Sequence, residues 1–321
     1  MSAVHATVTQ RQMIGMAYGL GVTVAIIANM LLWTVLKGIG TKRDHTFQGS
    51  FFRLARHLIV CNMASAIIQS IVAIPYTVTG QRIYATRPYL FVMYRLCCFI
   101  EFVCYMVNVM VVLAMSLNRL TVFLLPKLNR YFFSDGRFTC LQASLWIVPF
   151  GQAALHSLFE CTKEFCHDSL AFYWHCSADI STASRTMDQI LRWQCVVVPV
   201  LIIGMNCLLF AHIKRLKRTV ERQEYLATRG EVLLLYQSLT MCLFVGFNSV
   251  FYNLIIPMAV EWHFQNMLLL TFLQNLCAIL ANIADPLLFM MFNTAIRERL
   301  AQIICRLPTK RTTTITSTSK Y

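Results

Sequence analysis

The sequence predicts an all-α membrane protein: a seven-transmembrane helix bundle with a short interfacial helix after the seventh span. Three observations predict it. Hydrophobic residues make up 57% of the 321 residues and charged residues only 13%, against roughly 45–50% and 25% in soluble domains. Mean hydropathy is +0.59. Seven apolar stretches each reach the length, about 20 residues, that crosses a hydrocarbon core about 30 Å thick. A soluble globular domain and a disordered chain are both excluded on these grounds.

The stretches run over 13–36, 58–80, 89–125, 138–159, 193–213, 232–260 and 262–292. The first two hold no Asp, Glu, Lys or Arg. The third carries Arg95, Glu101 and Arg119, and the seventh is interrupted by Asp285. Each is a continuous apolar run rather than a ten-residue alternation, which favours helices over a barrel. The first run is too long, and lacks a small-residue cleavage site, to be a removable leader, so it reads as a signal anchor and first span. Beyond the seventh, Ile296, Leu300, Ile303 and Ile304 fall on one side, with Arg297, Arg299 and Arg306 among the rest. That pattern predicts a helix lying on the membrane surface. The chain therefore divides into a short extracellular N-terminus (1–12), the bundle (13–292), the interfacial helix (293–307) and a disordered cytoplasmic tail (308–321).

The net charge of +14 does not point to nucleic acid, because the basic residues sort by side of the membrane. Nineteen of the 28 Lys and Arg fall in the first, third and fifth loops and the C-terminal segment. Five fall on the other side: Arg11, Arg82, Arg87, Lys163 and Arg185. Short loops rich in Lys and Arg stay in the cytoplasm, so the N-terminus is expected outside and the C-terminus inside.

Motifs sharpen the reading. The third span ends in Ser116-Leu117-Asn118-Arg119, and the seventh carries Asp285-Pro286-Leu287-Leu288-Phe289. With Asn29, Trp146 and Pro199 these resemble the Asp-Arg-Tyr and Asn-Pro-x-x-Tyr landmarks of rhodopsin-like G-protein-coupled receptors. The run Asn118-Arg119, Pro126, Asn129-Arg130-Tyr131-Phe132-Phe133-Ser134, the loop Cys161 to Trp174-His175-Cys176, and Glu231 with Gln237 resemble nematode serpentine chemoreceptors of class X or a neighbouring class. The resemblance spans about residues 20–300. It implies a chemosensory receptor that detects an extracellular small molecule and activates a heterotrimeric G protein, at the plasma membrane or a sensory cilium, with arrestin as a further partner. Two landmarks depart from the wider pattern. Ile67 falls where a sodium-binding Asp is usual, and the sixth span lacks the usual Pro hinge, with Pro257 too near its outer end.

The resemblance makes Asn118, Arg119, Asp285, Pro286 and Phe289 the G-protein switch. Asn118 replaces the acid that would lock Arg119, which implies a looser resting state. The alternative for Arg119 is a border arginine snorkelling into headgroups. Glu101 lies 18 positions before Arg119, which is five turns and roughly 27 Å on one helix face. An ionisable residue inside a span is a functional candidate whose partner must be named. A cationic ligand, Arg95 and Arg192 are the candidates, and an internal Glu–Arg pair is the structural alternative. Glu101, Tyr105 and Arg192 form the expected ligand contacts. Pro286 frees a backbone carbonyl within the helix, and Asn29 is a candidate partner for Asp285.

The second outer loop holds Cys161, Cys166 and Cys176 and faces an oxidising compartment. Cys161–Cys176 is the first choice of disulfide, and a tie to Cys97 or Cys98, as in the wider superfamily, the second. His167 and His175 raise a zinc site as a third reading, at a spacing that fits no standard finger; no metal and no cofactor is expected. Cys305 ends the amphipathic stretch and is a candidate palmitoyl site, with membrane lipid as the partner. The tail from Thr309 is rich in Thr and Ser, so phosphorylation would reverse its local charge. No Gly-x-Ser-x-Gly, His-Glu-x-x-His or P-loop motif occurs, so no enzyme is expected. The alternatives are a peptide or amine transmitter receptor and, from another class, a channel or transporter, which would need several deep charges where only Glu101 and Asp285 stand.

Overall fold

The computed structural model describes residues 6–39, 46–81, 84, 87–159, 161–166, 169–176, 182–219, 225–262 and 266–305. Helix α1 (Val8–Ile39) is followed by α2 (Thr46–Ile68), which passes through a π-helical turn, Gln69–Ala73, into α3 (Ile74–Thr79). Helix α4 (Pro88–Leu124) leads through the short α5 (Pro126–Phe132) to α6 (Asp135–Leu158). A hairpin of β1 (Cys161–Cys166) and β2 (Ala171–Cys176) precedes α7 (Thr182–Thr219). Helix α8 (Tyr225–Val250) passes through a second π turn, Phe251–Ile255, into α9 (Ile256–Glu261); α10 (Met267–Phe292) and α11 (Thr294–Cys305) complete the chain. Among the described residues six helical segments are long and apolar enough to cross a membrane, and α8 with α9 completes the bundle of seven.

The bundle is built around α4, the most buried of the six. It packs on α2, α6, α7 and α8 and touches β1. Helix α11 is tied in at its start. Asn293 ends α10, and its side-chain carbonyl accepts the backbone N–H of Ile296 at 3.2 Å, satisfying one of the open donors of a helix N-terminus. Ile296 is fully buried against the bundle, while Ile303, Ile304 and Cys305 stay exposed.

The prolines explain two local features. A proline cannot donate to the carbonyl four residues back. For Pro75 that carbonyl belongs to Ile71, within the first π turn, and the hydroxyl of Tyr84 donates to it. For Pro286 it belongs to Asn282, and the side-chain amide of Asn29 donates to it at 2.9 Å. Asn29 therefore serves the carbonyl that Pro286 frees and does not bond to Asp285, which corrects the pairing expected from sequence. The π-helix is found mostly as single turns inside α-helices, as at Gln69–Ala73.

The hairpin is not legible in the sequence. Its register sets Cys161 opposite Cys176 and Cys166 opposite Ala171. Leu170, at φ 56°, makes the turn in the left-handed region and is held by Tyr18, whose hydroxyl donates to its carbonyl at 3.1 Å. On the inner face Phe165 and Phe172 pack on Ile68, Val72, Tyr76 and Tyr94. The Tyr94 hydroxyl accepts the Phe165 N–H at 2.9 Å and bonds its carbonyl at 3.2 Å. The hairpin is thus fastened across one end of the bundle.

Candidate functional site

Beneath the hairpin lies a cavity of about 550 Å³, open space at its mouth included. Glu101 and Tyr105 of α4 line one wall, Leu191 and Cys195 of α7 another, and Gln274 and Asn275 of α10 a third. A second, deeper cavity continues from it and shares Glu101, Tyr105, Asn248 and Ala278. Its floor holds Asn62, Asn108, Asn282 and Asp285.

Glu101 is buried as expected, but its partner is neither Arg95 nor Arg192. Lys163, from β1, reaches down into the bundle and forms an ion pair with it. Both side chains are more than nine-tenths buried, at 9% and 8% exposure. Arg95 instead pairs with Glu164 and donates to Thr162 at 2.5 Å. Arg192 pairs with Asp188 at 2.9 Å, half exposed, and is not among the described residues that line the cavity. The reason is local: Asp188 sits four residues earlier on the same helix face, a spacing that brings side chains together. Tyr105 does line the cavity, with its hydroxyl 2.9 Å from that of Ser249.

Asp285 accepts a hydrogen bond from the amide of Asn62 at 3.0 Å, and Asn108 donates to the Asn62 carbonyl oxygen at 2.8 Å. This moves a landmark. Ile67 is 45% exposed on the outside of the bundle, whereas Asn62 of α2 is buried and bonds Asp285 of the seventh span. About one turn and a half earlier on α2, His57 accepts a hydrogen bond from the Trp146 indole at 3.1 Å.

Arg119 is buried at the far end of α4. Its guanidinium lies 4.5 Å from the ring centroid of Phe51, which in turn packs on Phe289 at 5.7 Å. Among the described residues no carboxylate pairs with it, and one terminal nitrogen has no hydrogen-bond partner. Asn118 turns away and donates to Ser50 at 3.4 Å and to Asn129 at 3.3 Å. The structure thus joins Arg119 to Phe289 through Phe51, which the motifs did not single out.

The family model of the serpentine type 7TM GPCR chemoreceptor Srx matches residues 24–293. The chain belongs to this family. Its fold is that of squid rhodopsin, whose crystal structure matches at a TM-score of 0.72 and 12% identity, over 94% of this chain and 87% of that one. No curated protein matches the receptor by sequence. The class X resemblance read from the motifs agrees with the family match.

Of the receptor's cysteines, Cys161 is disulfide-bonded, whereas Cys97, Cys98 and Cys166 are free. The tie to the top of the third span is therefore not made. His167, the side chains of His175 and Cys176, and the tail from Thr309 lie outside the described residues. Sequence reasoning missed Lys163 as a site residue, counting it only among the outer-side charges. It also missed Asn62, Asn108, Asn248 and Tyr252. The amides were a readable signal, since polar side chains within spans face the bundle interior.

Proposed function

We propose that this receptor is a G-protein-coupled chemosensory receptor whose small-molecule ligand enters the cavity under the hairpin. The observation that carries this is the placement of a buried ion pair, Lys163–Glu101, in a cavity at the opposite end of α4 from Arg119. The mechanism is a population shift. A ligand that disturbs the Lys163–Glu101 contact favours a conformer in which Arg119 is released from Phe51, and G protein selects the same conformer. Asp285, Pro286 and Phe289 give the seventh span a bend at which its far end can move, and Asn118 does not hold Arg119 back.

On this reading the hairpin and the N-terminus are extracellular, and α11, with Arg297 and Arg299 near Cys305, lies on cytoplasmic lipid, as the distribution of basic residues supports. Cys305 is exposed and available for palmitoylation. The Cys161 disulfide closes on Cys176, its cross-strand partner. The phosphorylatable tail serves arrestin-like partners, and the sites of action are the plasma membrane and sensory cilia. Residues 1–12, 13–292, 293–307 and 308–321 are the outer segment, receptor domain, interfacial helix and cytoplasmic tail.

The test is a ligand screen in cells reporting cAMP or calcium, followed by nucleotide exchange in membranes with added G protein. A hit should drive exchange in the native receptor and lose at least about tenfold in potency in Glu101→Gln, the loss of about 1.4 kcal/mol of binding. Ligand-driven uptake without exchange would assign the chain to transport instead.

A further inference from the structure

The cavity under the hairpin carries a second message in the surroundings of Lys163. Its ammonium lies 5.1, 5.4 and 5.7 Å from the ring centroids of Tyr105, Phe172 and Tyr252. All three are within the roughly 6 Å at which a cation is attracted to an aromatic face. The carboxylate of Glu101 closes the cage. The helical spans supply Glu101, Tyr105 and Tyr252; the cation comes from a different element, the strand β1. Among the described residues Lys163 is the one basic residue lining the cavity. Without it, the cage presents one carboxylate and three electron-rich faces, a surface complementary to a cation and hostile to an anion. The Tyr252 hydroxyl is buried without a hydrogen-bond partner, and Asn248 stands at the junction with the deeper cavity. Both can serve the polar remainder of a ligand.

We infer that the site binds small protonated alkylamines, and that Lys163 is a tethered competitor occupying the cage until such a ligand displaces it. This rests on the reading of the cavity as the ligand site and adds the ligand's chemical class. A group carried on the protein's own strand acts at a high effective concentration. Only the fraction of receptors with Lys163 withdrawn can bind free amine, so apparent affinity falls by that fraction. If the tether holds the cage nine times in ten, its removal raises apparent affinity about tenfold. The ligand also removes one of the hairpin's contacts with α4, that of Lys163 with Glu101.

The experiment uses n-butylammonium, which is the lysine side chain freed from the backbone. Full-length receptor in micelles is titrated with it as the native chain, as Lys163→Ala and as Lys163→Ala with Glu101→Gln. Butyrate and n-butanol are parallel arms at equal ionic strength, and melting temperature is the readout. Lys163→Ala should melt below the native chain and be stabilised saturably by n-butylammonium. The native chain should need at least about tenfold more amine, and the double variant should not respond. Should the alanine variant not fold, Lys163→Ser carries the same titration. Equal half-saturation in native and variant receptors overturns the tethered-competitor role. Stabilisation by butyrate or butanol in place of the amine overturns the cationic class and leaves the cavity as a small-molecule site. Absence of any response, in a receptor that still shows ligand-driven nucleotide exchange, overturns the inference alone. Absence of both overturns the receptor reading with it.

Discussion

The bond from Asn29 to the Asn282 carbonyl can be tested by a double-mutant cycle. Pro286 has no N–H to offer that carbonyl, and Asn29 supplies one at 2.9 Å. Leaving a buried acceptor unsatisfied costs about 1–3 kcal/mol in soluble proteins. Interhelical hydrogen bonds in membrane proteins average about 0.6 and reach about 1.7 kcal/mol. Asn29 is wholly buried and its own carbonyl oxygen has no partner, so removing the side chain also removes an unsatisfied acceptor, which places the bond near 1 kcal/mol. Asn29→Ala adds the cost of the void it leaves. In Pro286→Ala the backbone N–H of residue 286 reaches Asn282, and Asn29→Ala should then cost only the void. The difference between the two backgrounds, about 1 kcal/mol, is the coupling, read by equilibrium unfolding in mixed micelles. Additivity within about 0.3–0.5 kcal/mol would refute the claim that Asn29 stands in for the missing donor.

The same logic applies to the second span at smaller scale. Tyr84→Phe keeps the stack on Tyr76, at 5.3 Å, and loses only the bond to the Ile71 carbonyl; it should destabilise by about 0.5–1.5 kcal/mol, and Pro75→Ala should suppress the effect in the same unfolding assay. Asn118→Asp restores a carboxylate beside Arg119, which has none among the described residues, and should lower unliganded nucleotide exchange several-fold; an unchanged basal rate would show that Asn118 does not set the resting state. Cys161→Ser and Cys176→Ser should each release one new titratable thiol and share one non-reducing electrophoretic mobility, whereas a thiol released only by the first would place the partner of Cys161 elsewhere.

Hydropathy made the bundle legible because it adds up along each segment without reference to anything distant. Glu101 and Asp285 were legible for a related reason: a charge in a span is costly wherever it sits, so it marks a site before its partner is known. The partners were not legible. Lys163 reads as one of five outer-side basic residues, and only the hairpin, whose turn depends on Leu170 and Tyr18, carries it into the bundle. Ile67 and Asn62 show how fragile register is. Five residues at about 100° each rotate a position by 140° from the starting face, which turns an interior residue into one facing outward. A proline marks in the sequence the carbonyl it leaves open, but the donor, Asn29 or Tyr84, comes from another segment.

The far-end geometry bears on what activation must change. Among the described residues neither Arg119 nor Asp285 has an ion-pair partner: the first rests on a ring, the second on an amide. A buried guanidinium with an unbonded nitrogen is costly in the resting bundle. A conformer that opens this end to water or to the carbonyl groups of a bound protein relieves that cost. The resting state is then held chiefly by packing, Arg119 on Phe51 and Phe51 on Phe289, and by the Lys163–Glu101 pair at the other end. On the proposed reading a ligand that weakens the latter shifts the balance, and by reciprocity ligand and G protein raise each other's affinity by the same factor.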